Sequence, residues 1–164
     1  MNTTADATGA PVATIVVECR DANGNLKWSE TIRNIVTAAG KTDIVDKYLK
    51  GSAYTAAWFM GQKGVGTPAV SDTLASHAAW TEVTAYASAT LPAITFGTTS
   101  AGSNTAVPVA FSMNASYTVA GMFMSTNSAK GATTGVLYNA ADFGTPRSGA
   151  SGDTLNVTVT YAVS

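Results

Sequence analysis

The residues of this chain that could act as nucleophile, base or metal ligand are few and scattered. The chain contains one histidine, His77, and one cysteine, Cys19. A serine or cysteine triad would need His77 as its base, yet no Gly-x-Ser-x-Gly motif occurs and Cys19 lies inside an alternating strand pattern. One histidine and one cysteine cannot build a common zinc site. The sequence therefore favours a non-enzymatic protein without cofactor or metal, in which Cys19 is a small buried apolar residue.

Two short motifs resemble ligand-binding loops. Asp21, Asn23 and Asn25 imitate the start of a calcium loop, but Leu26 stands where such a loop needs glycine, and a β-turn explains the motif more simply. The glycine-rich stretch GQKGVG, residues 61–66, matches no phosphate-binding pattern and is typical of a turn after a strand.

The aromatic residues and methionines suggest packing surfaces. Trp28, Trp58 and Trp80 could stack on a sugar, but each lies in or beside a predicted strand, which favours core or interface packing. The clusters Trp58-Phe59-Met60 and Met122-Phe123-Met124 put apolar groups on both faces of a strand. We therefore expect one face to contact the core and the other to contact a neighbouring molecule, with the interface formed by Trp58, Met60, Met122 and Met124.

The charge content argues against a nucleic-acid or membrane partner. Charged residues make up 12% of the chain and the net charge is −1, against about 25% charged residues in an average protein. No basic cluster is present to neutralise phosphates, and no apolar run is long enough to span a membrane. Such a weakly charged chain suits either a Thr/Ser-rich surface or one that is partly covered by other protein.

The first residues, 1–11, are small and polar and are predicted to form an arm outside the domain. They contain neither a basic region nor an apolar run, so no signal peptide is expected. We predict that Asn2, Thr3 and Thr4 of this arm contact a neighbouring subunit.

The segment 12–36 is predicted to be a β-hairpin. Two alternating stretches flank Asn23-Gly24, a pair that favours a type I′ turn. A helix is predicted from about residue 38 to 50, with Thr37 or Thr42 as N-cap and Gly51 as terminator. Its apolar stripe would consist of Ile44, Val45, Tyr48 and Leu49.

The remaining chain alternates short strand patterns with Gly/Ser/Asn/Thr clusters. Strands are predicted near residues 54–62, 93–97, 107–113, 118–125, 135–138 and 154–163, and one helical turn is predicted at residues 72–77. This pattern indicates a mainly β fold, an antiparallel and jelly-roll-like β-sandwich, formed by a single domain over residues 12–164.

Several stretches resemble a family of small virion proteins from tailed bacteriophages. The first runs from Glu18 to Tyr54 and includes DANGNLKW; the others begin with DTLASHAAWTE, VAFSMNASYTV and GDTLNV. The resemblance covers nearly the whole chain after Pro11. It implies a hairpin and short helix followed by a β-sandwich, and a structural part of the virion.

The leading hypothesis is a capsid decoration or cement protein located in the virion. Its expected partners are further copies of itself and other virion proteins, above all the major capsid protein. Two alternatives remain open: a tail or head–tail connector component, and a receptor- or glycan-binding tail-fibre module that uses loops around Asn104, Lys130 and Arg147.

Overall fold

A computed structural model describes residues 12–53 and 57–162 of the protein. Two antiparallel β-sheets of five strands each make up most of it. The strands are β1 (Val12–Arg20), β2 (Leu26–Arg33), β3 (Ile35–Val36), β4 (Phe59–Lys63), β5 (Glu82–Val83), β6 (Ser103–Thr105), β7 (Val109–Ser112), β8 (Tyr117–Ser125), β9 (Leu137–Gly149) and β10 (Thr154–Ala162). The predicted mainly β class with two antiparallel sheets and one short helix is confirmed.

The first sheet has the order β2-β1-β10-β6, and β7 also pairs with β10. Strands β1 and β10 pair along their whole length, from Val12 opposite Ala162 to Arg20 opposite Thr154. Alternate residues of both strands are buried, as period-two patterns predict. The second sheet has the order β3-β9-β8-β4-β5.

The turn between β1 and β2 differs from the predicted type I′ turn. Gly24 has φ +85°, but Asn23 does not have the positive φ that a type I′ turn requires. The amide of Gly24 donates to the carbonyl of Asp21, and the Asp21 carboxylate accepts the amides of Asn23 and Asn25. The Asp21 side chain thus organises a turn in which only glycine takes the left-handed conformation.

The predicted hairpin 12–36 is split between the two sheets. Strand β2 ends at Arg33, and Ile35 and Val36 pair instead with β9 in the second sheet. The break occurs at Asn34, whose Oδ1 accepts the amide of Ala13 at 2.8 Å. Asn34 is a polar residue among the apolar residues at even-numbered positions of this segment. It marks the point where the chain changes sheets.

The helix is shorter than predicted because it changes type. Helix α1 spans Ala38–Ile44, and a π-helical turn follows over Val45–Leu49. Thr37 is the N-cap, since its hydroxyl accepts the amide of Gly40, and Gly51 with φ +74° follows the last turn, as expected. Among the described residues, no helix is long and apolar enough to cross a membrane.

An apolar core fills the space between the sheets. It joins side chains of the first sheet, such as Ile15 and Val157, to side chains of the second, such as Val119 and Met122. A smaller cluster lies on the outer face of the second sheet and consists of Leu74, Trp80, Leu91, Phe123, Leu137 and Ala140. Residues 64–92, which we call the covering segment, contribute its outer layer.

The remaining strand predictions were partly right. Strands β7, β8 and β10 were predicted, whereas β5 and β6 were not. Residues 93–97 form only isolated bridges, and residues 72–77 form turns instead of a helical turn. Strand β9 runs on to Gly149 through residues predicted to be a loop, because β8 pairs with it up to Tyr117 opposite Gly149.

Candidate functional site

A groove of about 830 Å³ opens at one end of the sandwich. It lies where the last residues of β10 meet β6, the helical segment and the second sheet. Fifteen residues line it: Asp43, Ile44, Lys47, Tyr48, Leu49, Trp58, Phe96, Thr99, Gly102, Ser103, Asn104, Met124, Tyr138, Tyr161 and Ala162. A concave surface of this size and largely apolar lining is the type of site that binds a ligand or a protein segment.

Four aromatic rings form a continuous series along the groove. The Trp58 and Tyr138 rings are 5.1 Å apart, Tyr138 and Tyr161 are 5.9 Å apart, and Phe96 and Tyr161 are also 5.9 Å apart, all edge-to-face. Edge-to-face packing restrains each ring through its neighbours. The groove therefore has a preformed aromatic surface.

Polar contacts fix the central ring, Tyr161. Its hydroxyl accepts a hydrogen bond from the Asn139 side chain and donates to the Met124 sulfur at 3.4 Å. Burial, followed by the neighbouring Tyr138, raises the pKa of Tyr161 far above its usual value. The hydroxyl therefore stays neutral and has a positioning role.

The exposed apolar side chains Tyr48 and Leu49 form one rim of the groove, and Val45 is exposed on the same helical segment. Val45, Tyr48 and Leu49 are 52%, 84% and 72% exposed, whereas the predicted helical stripe would have placed them against the core. The reason is the π-helical turn, in which the amide of Lys50 donates to the carbonyl of Val45. A π turn holds more residues than an α turn, so the side chains after Ile44 rotate away from the core.

Asn104 provides a polar atom at the groove. Its Nδ2 donates to the Gly97 carbonyl at 2.9 Å and to the Thr99 hydroxyl at 2.7 Å. These two bonds fix the amide orientation and leave Oδ1 buried without a hydrogen-bond partner among the described residues. A bound group with an N–H or O–H could satisfy this acceptor.

The residues predicted to form an interface lie in different parts of the structure. Trp58 and Met124 line the groove, but Met124 is almost fully buried, as are Met60 and Met122. All three methionines belong to the core between the sheets. The second face of β8, expected to meet a neighbour, is covered by the chain's own residues 64–92 around Phe123. Asn2, Thr3 and Thr4 lie outside the described residues.

His77 has a structural environment. Its ring stacks on Trp80 with centroids 4.0 Å apart, and its Nδ1 lies 2.9 Å from the Trp80 carbonyl. The Trp80 indole in turn donates to the Asp72 carboxylate at 2.8 Å. Within the described ranges, no three His, Cys, Asp or Glu side chains are grouped so as to hold a metal ion.

The other candidate residues are dispersed. Trp28 packs on Phe143, Trp58 on Tyr138 and Trp80 on Phe123, so the three tryptophans do not form one platform. Lys130 lies 3.7 Å above the Tyr86 ring and donates to carbonyls of residues 84 and 86. Arg147 pairs with Glu30. Asn104 lies in β6 and Arg147 in β9, and of the three regions considered for receptor binding only the one at Asn104 contributes to the groove.

Sequence reasoning missed Phe96, Tyr138 and Tyr161 as a group. Each looked like an ordinary strand residue, and only the three-dimensional arrangement brings them together. Comparison of the chain with protein-family models, with curated proteins and with solved structures found no match in any of the three.

Proposed function

We propose that this protein is a non-enzymatic structural component of a bacteriophage virion, most specifically a capsid decoration or cement protein. The observation that carries the proposal is the open groove with its exposed apolar rim, Tyr48 and Leu49. Contiguous apolar surface of this kind marks protein-interaction sites. The resemblance of the sequence to small virion proteins supplies the context, and the low charge of the chain agrees with extensive contact to other protein.

In this proposal the groove and its rim bind another virion protein, chiefly the major capsid protein, and further copies of this chain complete the layer. Each apolar contact would contribute roughly 25 cal/mol per Å² of surface removed from water. A modest contact per copy, repeated over a shell, would make the whole particle more resistant to rupture.

The test is reconstitution on capsids that lack this protein. Purified protein is added, the particles are sedimented, and bound copies and rupture temperature are measured. We expect many copies per particle and a higher rupture temperature. Leu49→Asp on the rim should weaken binding at least tenfold, because burying an unpaired carboxylate is costly. Leu26→Asp, at an exposed apolar position on the hairpin, is the matched control and should bind normally.

A few copies at one vertex or on the tail would instead support the tail or head–tail connector alternative. Absence of binding to any particle, or equal binding by the Leu49→Asp and control variants, would contradict the proposed mode of attachment.

The groove also supports a second candidate function, glycan binding by a tail-fibre module. The aromatic series around Tyr161 could stack on sugar rings, and Oδ1 of Asn104 could accept a sugar hydroxyl. A glycan array probed with the wild type and with Asn104→Ala tests this candidate. Binding that the substitution abolishes would favour it over shell decoration.

A further inference from the structure

A second unusual feature lies on the outer face of the second sheet, beneath the covering segment. Lys63 ends strand β4 and is fully buried, at 0% exposure, although lysine is almost never fully buried unless paired. Its Nζ lies 2.5 Å from Oδ1 of Asp142 on β9. The Trp80 ring, 5.8 Å from Nζ, is part of the surrounding apolar layer.

The strand register brings these two side chains together. Lys63 is opposite Gly121 of β8, and Gly121 is opposite Asp142. Directly opposed residues point to the same face of a sheet. Since Gly121 has no side chain, the lysine can extend across β8 and reach the carboxylate two strands away.

The other contacts of Nζ orient it for reaction. Nζ donates to the carbonyls of Gly64, at 3.0 Å, and Gly66, and its contact with Asp142 is an ion pair. If the ammonium gives its third proton to Asp142, the two remaining N–H groups stay bonded to these carbonyls. The amine that has lost this proton has a free lone pair and lies in contact with the carboxyl group of Asp142.

We propose that Lys63 and Asp142 form an intramolecular isopeptide bond that joins β4 to β9 across β8. The neutral amine of Lys63 attacks Cγ of the protonated Asp142 carboxyl, a C–N bond forms, and the C–OH bond breaks. Of the two amine protons, one stays on the product amide. The other leaves with the hydroxyl group of the acid as one molecule of water. No oxidant, reductant or activated co-reactant is required.

The fold supplies what this condensation needs. Holding two groups in contact gives effective concentrations of about 10⁵–10⁸ M, enough to offset the excess of water that favours hydrolysis. Asp142 is 33% exposed on its side chain, which gives the released water an exit, while the fully buried Lys63 is protected from solvent. The single cysteine, Cys19, leaves the chain without an internal disulfide, so this amide would be its covalent cross-link.

The test is the intact mass of the full-length protein under denaturing conditions. The wild type should be about 18 Da lighter than its sequence mass, the loss of one water. Tryptic digestion should yield a branched peptide that joins Lys63 to Asp142. Lys63→Arg, which keeps the charge pair but lacks the amine nucleophile, should show its full sequence mass.

Asp142→Asn provides an independent readout that does not depend on loss of the bond. Condensation of an amide with Lys63 releases ammonia, so this variant should be about 17 Da lighter than its own sequence mass. A wild-type protein that is correctly folded and has its full sequence mass would overturn the proposal and leave the pair as a buried ion pair.

Discussion

The covered outer face of the second sheet and the groove at the end of the sandwich are both rich in aromatic residues, yet only one is closed by the chain itself. On the covered face, Phe123 of β8 packs against Trp80 of the covering segment, and Trp80 is 3% exposed. At the groove, the exposed Tyr48 and Leu49 line the same surface as the aromatic series and are not covered by the described residues. An apolar face therefore indicates burial, but it does not indicate which molecule covers it.

Removing the main side chain of the covered face should have the largest effect on stability. Trp80→Ala deletes contacts to Phe123 and His77 and leaves the Asp72 carboxylate without its indole donor. We expect the free energy of unfolding to fall by about 3–5 kcal/mol, as measured by urea denaturation. A loss below about 1 kcal/mol would mean that the covering segment is not part of the folded core.

The second test concerns the anchor of the helix beside the groove. A Cβ at Gly40 would lie 2.3 Å from the Tyr138 carbonyl oxygen. Helix propensity alone would make Gly40→Ala stabilising by about 1 kcal/mol, but the clash should instead destabilise the protein by about 1–3 kcal/mol. Thermal unfolding of this variant shows whether the substitution raises or lowers the stability of the protein. Gly51→Ala is an unsuitable control because Gly51 has positive φ, so Lys41→Ala on the same helix serves instead.

A third test uses a contact outside both regions as a reference. Glu30 of the first sheet pairs with Arg147 of the second at 2.7 Å and accepts the amide of Gly144. The hydrogen bond from Arg147, followed by that from Gly144, lowers the pKa of Glu30. The pKa of Glu30 is therefore lower in the folded than in the unfolded state. The stabilisation that its carboxylate provides is complete above about pH 4.5 and is lost as the pH falls through the folded-state pKa.

Glu30→Gln should therefore reduce stability at pH 7 by about 1 kcal/mol or less. The difference between variant and wild type should shrink as the pH falls below 4, which denaturation at several pH values would measure. A difference in stability that grows as the pH falls would contradict the role of this carboxylate. Glu18→Gln, in the exposed pair with Arg20, is the matched control.

The smallest effect on stability is expected at the open groove. Leu49→Ser and Tyr48→Ser remove exposed apolar side chains and should change the free energy of unfolding by less than about 0.5 kcal/mol. The same variants should weaken particle binding. A large loss of stability would show that the rim is buried within the isolated molecule, and the contrast between the two regions would fail.

Much of the fold could be predicted because an apolar residue at every second position indicates which face of a strand is buried. The alternation of Ile15, Val17 and Cys19 in β1 and of Leu155, Val157 and Val159 in β10 is reproduced in the core. The polar Asn34 interrupts the apolar residues at even-numbered positions of this segment, but the sequence does not show that the chain changes sheets there. Thr37 and Gly51 bounded the helical segment as local chemistry suggested.

The candidate site was harder to predict because it depends on contacts between distant parts of the chain. The change from α to π winding after Ile44 exposes side chains that a regular helix would have buried. The burial of Lys63 had no sequence signal, since a lysine next to glycines usually indicates a solvated turn. The covering segment has little regular structure, so no periodicity showed that residues 64–92 would pack on β8.

The pairing of Val12 with Ala162 has a practical consequence for building on this protein. Because the first and last strands run antiparallel side by side, the start of β1 and the end of β10 are adjacent, and Ala162 lies at the groove. A short linker could join these points into a circular backbone, and new ends could be opened at the exposed turn around Gly24. Cargo fused there would be carried on the hairpin, leaving the groove end free.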